Sequence, residues 1–207
     1  ELLENLAGRI SQQIEADSTA LLEAFTDTEF LKANGFSEET ALTMYLPNTY
    51  ELYWNTTAEE YRKRMLTEYN RFWTDARKAK AEAQGLTPTE VYVLASIVQK
   101  ETAKNDERPR VAGVYLNRLH NGWKLDADPT VIYAVKKQQE DFDQVIKRVL
   151  YKDLETDSPY NTYKYGGLPP GPIFMPDLSA INAVLNPESH QYYFFVADVS
   201  NPGYHLF

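Results

Sequence analysis

The chain has 207 residues, 43% hydrophobic and 25% charged, so it is long enough for one large or two small soluble globular domains. The net charge of -9, from 30 acidic and 21 basic residues, argues against nucleic acid as a partner, because neutralising phosphates requires a basic face. Cysteine is absent and the 3 histidines lack metal-ligand spacing, so we expect neither a metal nor a cofactor.

The N-terminal part predicts mainly helices. Apolar residues recur at helical spacing over residues 1–15, a second helix follows Asp17, and a short third one ends near Gly35. Residues 43–54 are predicted to be extended or β-like. A single long helix is expected over residues 56–84.

Residues 87–102 predict the helix that carries the strongest candidate for chemistry. A Thr-x-x-Glu capping box, from Thr87 to Glu90, marks its start. At about 100° per residue, Glu101 lies about 20° from Leu94 around the helix axis, within an apolar stripe. Burial there would raise the pKa of Glu101, as a general acid requires. Most helical glutamates are solvated surface charges, however, and the stripe alone leaves both interpretations open.

The rest of the chain alternates helices with irregular segments. In chain order we predict helices over residues 109–121 and from 128 onward, a helical face over 142–149, a proline-rich and glycine-rich loop over 157–172, a short helix over 176–185 and a strand over 192–197. Asp128 is expected to act as an N-cap, with a proline in the first turn.

The proline-rich loop carries candidate ligand-binding groups. Its run Tyr160, Asn161, Thr162 and Tyr163 offers two rings, which can stack on sugars, and two short polar groups, which can bond hydroxyl or acetamido groups. The alternative is that these residues shape a turn and that the rings pack inward.

Three polar residues near helix ends are also ambiguous. Asn117 and Arg118 either bind an anion or only cap a helix and form salt bridges. Asp128 is either a catalytic group or a simple cap. The local sequence does not decide between these interpretations.

The order and spacing of several short segments are distinctive. They are residues 94–102 (LASIVQKET), 114–119 (VYLNRL), 128–133 (DPTVIY), 158–163 (SPYNTY), 167–173 (GLPPGPI), 193–198 (YFFVAD) and 205–207 (HLF), with a fainter one at 46–50 (LPNTY). Together, over about residues 86–207, they resemble the YceG-like family of bacterial endolytic murein transglycosylases. Each segment alone is a weak signal.

The resemblance implies that Glu101 is the single catalytic acid and base. In that family a glutamate at this motif position protonates the glycosidic oxygen between N-acetylmuramic acid and N-acetylglucosamine. The muramic acid 6-hydroxyl then attacks its own C1 and leaves a 1,6-anhydro end. The second carboxylate of an ordinary glycosidase is then unnecessary. The substrate acetamido group and polar groups such as Asn161 would support the oxocarbenium-like state.

The resemblance also implies a set of substrate-binding residues. They are Asn117, Arg118, Asp128, Thr130, Tyr160, Asn161, Thr162 and Tyr163. Two features depart from the family pattern. Gln99 stands where relatives often have glutamate, which leaves Glu101 as the only carboxylate of its motif. The sequence stops at Phe207, where the family usually continues, so His205 is a weaker candidate.

Fold and location are implied in the same way. We expect an α+β fold, with a helix-rich region that includes part of a LysM-like subdomain and a connecting helix over residues 1–85, and a mixed α/β catalytic domain of the YceG-like type over 86–207. No run of about 18 apolar residues is present. Family members are anchored by an N-terminal membrane helix, so we expect a soluble piece of a bacterial inner-membrane protein whose catalytic part faces the periplasm or cell exterior. Its partners would be peptidoglycan strands and penicillin-binding-protein synthases.

Two other functions stay open. One is a hydrolytic muramidase with Asp128 or Asp157 as the second carboxylate. The other is a non-catalytic glycan-binding or scaffold module of the cell-wall machinery. Catalysis requires Glu101 in an open cleft near residues 160–162, whereas a Glu101 sealed in the core or held in a surface ion pair would favour the module.

Overall fold

The computed structural model describes residues 2–207. Its elements are α1 (Leu3–Ile10), α2 (Ser18–Thr26), α3 (Thr28–Ala33), α4 (Ala58–Phe72), α5 (Asp75–Ala83), α6 (Pro88–Glu101), α7 (Arg108–His120), α8 (Asp128–Gln138), α9 (Tyr151–Leu154), α10 (Leu178–Leu185), β1 (Val196–Ala197) and β2 (His205–Leu206). The two strands pair antiparallel, with Val196 opposite Leu206. The α+β prediction is therefore confirmed in its coarse form, as a helix-rich chain with a small sheet.

The central helix is α6. The predicted capping box is present: Thr87 Oγ1 accepts the Glu90 N–H at 3.3 Å, and the Glu90 carboxylate accepts the Thr87 N–H at 2.7 Å. Every residue from Val91 to Val98 is buried, because α5, α7, α8 and α10 pack around the helix. Burial on all sides explains why apolar residues occur all round this stretch of α6.

The long helix predicted over residues 56–84 is instead two helices, α4 and α5. Trp73 leaves the helical conformation, with ψ at 66°, and its ring is buried against Phe72. Thr74 then caps α5 by accepting the N–H of Arg77 at 3.4 Å. Burial of the indole and the new N-cap together favour the break over continuation of the helix.

The helical face predicted over residues 142–149 is wrong. These residues form no helix, and the next helix after α8 is the short α9. The Asp141 carboxylate accepts the N–H groups of Asp143 and Gln144, both at 3.1 Å. These local side-chain bonds offer the backbone an alternative to helical bonds and turn the chain.

The strand predicted over residues 192–197 is largely wrong. Of residues 192–197 only β1 is a strand, because the Tyr192 and Tyr193 carbonyls accept bonds from side chains of α7 instead of from a neighbouring strand. Residues 43–54 form no strand: a 3₁₀ turn at Ala41–Met44 leads into irregular chain. There the Tyr45 carbonyl accepts the Tyr92 hydroxyl at 2.9 Å inside the core.

The hydrophobic core is one connected cluster of buried side chains that runs from Leu6 in α1 to Leu185 in α10. It contains side chains from both sides of residue 86, and the division into residues 1–85 and 86–207 stays a prediction. Among the helices of residues 2–207, none combines the length and apolar character needed to cross a bilayer.

Truncating Leu94 tests the central position of α6. Leu94 has no exposed surface, so Leu94→Ala should lower the free energy of unfolding by about 2–5 kcal/mol, from lost transfer energy and the cavity left behind. The matched control is Leu150→Ala, because that leucine is 49% exposed and should change stability by no more than about 0.5 kcal/mol. Denaturant unfolding measures both, and equal effects would contradict the assignment.

Candidate active site

Glu101 is the last residue of α6, at the point where the buried helix ends. The next residue, Thr102, has an extended backbone, so the chain turns away from the helix axis there. The Glu101 side chain is half-buried, and its Oε2 accepts a hydrogen bond from the hydroxyl of Tyr115 in α7 at 3.1 Å. Glu101 is therefore not sealed in the core, and among residues 2–207 it is not held in a surface ion pair.

Burial raises the pKa of Glu101 above the ordinary glutamate value. The Tyr115 hydrogen bond favours the charged form and opposes this shift. Among the charges, that of Asp128 raises the pKa further, whereas those of His205 and Arg118 lower it. Because burial is the largest effect, Glu101 keeps its proton to a higher pH than an exposed glutamate does.

Asp128, whose charge acts on Glu101, is the first residue of α8. The prediction that it is an N-cap is wrong: Ala127 is the N-cap residue, and its carbonyl accepts the Thr130 hydroxyl at 2.7 Å. The exposed Asp128 carboxylate instead accepts the Tyr163 hydroxyl at 2.7 Å. Burial is the main cause that raises the pKa of Tyr163, and the hydrogen bond to Asp128 raises it further.

A cavity of about 580 Å³ opens beside this pair of side chains. Besides Asp128 and Tyr163, it is lined by Arg148, Tyr151 and Lys152. Its lining mixes aromatic, cationic and anionic groups, which suits a polar ligand with flat ring faces.

Residues 160–162 of the proline-rich loop face inward. Asn161 has no exposed surface. Its side-chain N–H groups donate to the backbone carbonyls of Leu154 and Thr156 at 2.8 and 2.9 Å. Its side-chain oxygen Oδ1 accepts the backbone N–H of Tyr163. Tyr160 is 3% exposed. Asn161 therefore has no side-chain surface in this structure for a ligand to contact, and its bonds set the course of the loop.

Thr162 and Thr130 form a second internal contact. Their hydroxyls lie 2.8 Å apart, both side chains are buried, and Thr162 Oγ1 also accepts the Ala127 N–H. The pair fastens the loop to the start of α8. Of the four loop residues predicted to bind substrate, only Tyr163 therefore comes to the Glu101 site with a partly exposed side chain.

Asn117 and Arg118 hold the backbone before β1. The Asn117 amide donates to the carbonyls of His190 and Tyr192 at 3.0 and 2.9 Å. Arg118 Nε donates to the Tyr193 carbonyl at 2.7 Å. These bonds give both residues a structural role, which is to hold the backbone of residues 190–193. The charge of Arg118 also lowers the pKa of Glu101.

A second buried carboxylate, Glu107, contacts the residue that follows Glu101 and was not predicted from the sequence. Glu107 is 5% exposed, and its oxygens accept the Thr102 hydroxyl at 2.8 Å and the His205 N–H at 2.7 Å. His205 Nδ1 also lies within hydrogen-bond distance of Glu107 Oε2, at 2.8 Å. Its partner His205 lies 98 residues further along the chain, so nothing in the local sequence around Glu107 indicated that it would be buried.

Within the described residues 2–207, no three histidine, aspartate or glutamate side chains are grouped to hold an ion.

The raised pKa of Glu101 can be measured by an NMR titration of its side-chain carboxyl. Tyr115→Phe should raise that pKa further, because it removes the hydrogen bond that favours the charged form. The control, Tyr165→Phe, removes a hydroxyl that bonds Asp157 and should leave Glu101 unchanged. A Glu101 that titrates like an exposed glutamate would contradict the described environment.

The same shift predicts a pH-dependent stability. A carboxyl whose pKa is raised by folding adds stability below its unfolded pKa, and this is lost as pH rises through the folded pKa. Glu101→Gln should therefore be more stable than the parent at neutral pH, and the difference should close in acid. Denaturant midpoints at the two pH values measure it, and a Gln variant less stable at neutral pH would refute the prediction.

Curated relatives cover the chain in part. It is 36% identical over 143 residues to an endolytic murein transglycosylase of Bacillus subtilis, an alignment covering 69% of this chain and 38% of that protein. It is 34% identical over 154 residues to an endolytic murein transglycosylase of Streptococcus pneumoniae, covering 74% of this chain and 27% of that protein. The chain thus spans less than two fifths of the length of these relatives.

A solved structure and a family model cover nearly all of this chain. A crystal structure of a YceG-like protein from Listeria monocytogenes superposes with a TM-score of 0.79 at 30% identity, over 99% of this chain and 69% of that one. The model of the YceG-like family matches residues 1–207. The resemblance found in the sequence is confirmed, and the chain belongs to the YceG-like family.

Proposed function

We propose that the protein is an endolytic peptidoglycan lytic transglycosylase in which Glu101 is the acid and base. The observation that carries this proposal is the state of Glu101: half-buried, with a raised pKa, and bonded through Oε2 to a phenol. Within residues 2–207 no hydrogen bond to Glu101 Oε1 is formed, and the side chain keeps part of its surface exposed. The relatives from Bacillus subtilis and Streptococcus pneumoniae, named endolytic murein transglycosylases, supply the substrate class.

The proposed reaction needs one protein carboxyl. Protonated Glu101 gives its proton to the glycosidic oxygen, and the bond from that oxygen to C1 of N-acetylmuramic acid breaks. The 6-hydroxyl of the same sugar forms the new bond to C1 and passes its proton to Glu101. The products are a free N-acetylglucosamine 4-hydroxyl and a 1,6-anhydro end, and Glu101 is again protonated. Because no water is consumed, no second carboxylate has to activate one.

The neighbouring residues have supporting roles in this proposal. Tyr115 orients the Glu101 carboxyl without adding a positive charge that would hold it ionised. Asp128, fixed by Tyr163, places negative charge near the oxocarbenium-like state. Asn161 and Thr162 act indirectly, by holding the loop that presents Tyr163.

The alternatives have less support. Asp157 bonds Tyr165 and Lys164 at the surface, and its charge is not among those that shift the pKa of Glu101. Asp128 is committed to Tyr163, which leaves it poorly placed as a second nucleophile. A purely glycan-binding module would not require a carboxyl with a raised pKa.

The finer expectations about the whole protein stay predictions. These are the LysM-like origin of the N-terminal helices, the membrane anchor, the inner-membrane location and the synthase partners. The family resemblance is their only support.

Product analysis tests the role of Glu101. Incubation with purified peptidoglycan should give anhydro ends, and Glu101→Gln should slow their formation by about 10²–10⁴-fold, the usual contribution of a general acid. Glu82→Gln, an exposed position on α5, is the matched control and should keep full activity. Mass spectrometry separates anhydro ends from reducing ends, which are heavier by one water, and reducing ends from the parent protein would reject lytic cleavage.

Asp128→Asn separates the lytic from the hydrolytic mechanism. The variant should still form anhydro ends, with a rate loss of about tenfold or less, because Asp128 forms no bond to the sugar. Removing its charge should also lower the pKa of Glu101, so activity should decline at a lower pH on the alkaline side. Rate profiles against pH measure this. A loss as large as that of Glu101→Gln would instead favour hydrolysis through Asp128.

A further inference from the structure

Three aromatic side chains form an exposed cluster at the end of α7, here called the aromatic platform: Trp123, Tyr193 and Phe194. The Trp123 ring lies 5.0 Å from that of Tyr193 and 5.8 Å from that of Phe194, between centroids. Trp123 is 46% exposed and Phe194 62% exposed. Large rings left this open on a folded surface are common at binding sites.

The aromatic platform is held rigidly from beneath by a buried cation. Arg118 is 8% exposed; it donates from Nε to the Tyr193 carbonyl and from Nη1 to the Leu125 carbonyl, and its guanidinium lies 5.2 Å from the Phe194 ring centroid. Asn117 bonds the carbonyl of Tyr192 on the same segment. The rings are thus ordered before any ligand arrives, which lowers the entropic cost of binding.

Two interactions link the aromatic platform to the Glu101 site. The charge of Arg118, which supports the rings, also lowers the pKa of Glu101. Phe195, next along the chain, packs edge-on against the Tyr115 ring at 5.9 Å, and Tyr115 bonds Glu101. The two sites therefore share supporting residues, although no platform ring bonds Glu101.

The neighbouring polar groups favour a sugar as the occupant. Lys124 follows Trp123 directly and bonds the Tyr163 carbonyl at 2.9 Å, so the platform continues toward the cavity beside Asp128. Lys124 and the exposed Asp126 can bond hydroxyl groups at the edge of a ring. Flat aromatic faces bordered by such groups match a pyranose, which has apolar ring faces and a polar rim.

We propose that the aromatic platform binds a pyranose ring of the glycan strand, away from the bond that is cut. The proposal rests on the proposed function, because it takes the strand that Glu101 cleaves as its ligand. An enzyme that cuts within a strand has to hold sugars beyond the two that flank the broken bond. The aromatic platform supplies such a distant contact, and it makes long strands bind more tightly than short ones.

Binding by the inactive Glu101→Gln protein tests the proposal without consuming the ligand. The probes are a tetrasaccharide and a dodecasaccharide of alternating N-acetylglucosamine and N-acetylmuramic acid without peptides, titrated by calorimetry. Introducing Trp123→Ala into the Glu101→Gln protein should weaken dodecasaccharide binding about two- to tenfold, as expected for the loss of one ring contact. Tetrasaccharide binding should stay unchanged. Trp123→Phe should retain most of the affinity.

The matched control is Trp54→Ala, which removes a tryptophan that is 64% exposed and is the last residue of the 43–54 segment. It should change neither affinity. Equal weakening of both probes by Trp123→Ala would place the ring at the cut bond and overturn the proposal. Unchanged dodecasaccharide binding would also overturn it and favour a protein partner for the platform.

The two proposals can fail separately. If the parent protein cleaves peptidoglycan to anhydro ends but Trp123→Ala does not discriminate between the probes, only the platform proposal fails. If the parent gives no product and the Glu101→Gln protein binds neither probe, the proposed function fails and the platform proposal fails with it.

Discussion

The burial of α6 is the constraint on which the site depends. Residues 91–98 have no exposed face, so the surrounding helices fix the helix in position, and Glu101 emerges where that packing ends. This placement desolvates the carboxyl, and its hydrogen-bond partner within residues 2–207 is a phenol and not a cation. A lysine or arginine bonded to Glu101 would stabilise its charged form and remove the acidity that the proposed reaction requires, whereas the Tyr115 hydroxyl orients it at a smaller electrostatic cost.

One helix, α7, connects this carboxyl with the C-terminal segment. Tyr115 reaches Glu101 from it, while Asn117 and Arg118 on the same helix bond carbonyls of residues 190–193. Buried or partly buried backbone groups need partners, and where no neighbouring strand is available side chains supply them. The glycan-binding surfaces proposed here therefore rest on irregular chain held by side-chain bonds more than on the small sheet of β1 and β2.

Local signals in the sequence were sufficient to predict α6, but they left the role of Glu101 open between a surface charge and a general acid. The capping box is formed within four residues, and the apolar stripe reflects burial of the helix itself. The inward orientation of Asn161 could not be predicted, because an asparagine in a loop has the same local sequence whether its amide faces a ligand or three backbone groups. Burial of that kind is decided by which segments meet in the fold.

Contacts between distant segments account for the other differences. Glu107 and His205 are far apart in the chain, and nothing near Glu107 indicates that a histidine will bond it. The short β1 has a similar cause, since the run over 192–197 has strong strand propensity but its first carbonyls bond α7 side chains. The family resemblance placed these segments in order, but it did not specify which side chains point inward.

The central claim is that the substrate's own hydroxyl, and not water, attacks the sugar activated by Glu101. Cleavage of peptidoglycan in water labelled with oxygen-18 tests it most directly. The account predicts anhydro ends that carry no label, because the oxygen newly bonded to C1 comes from the same sugar. New reducing ends with oxygen-18 at C1, formed by the parent protein and lost in Glu101→Gln, would contradict it.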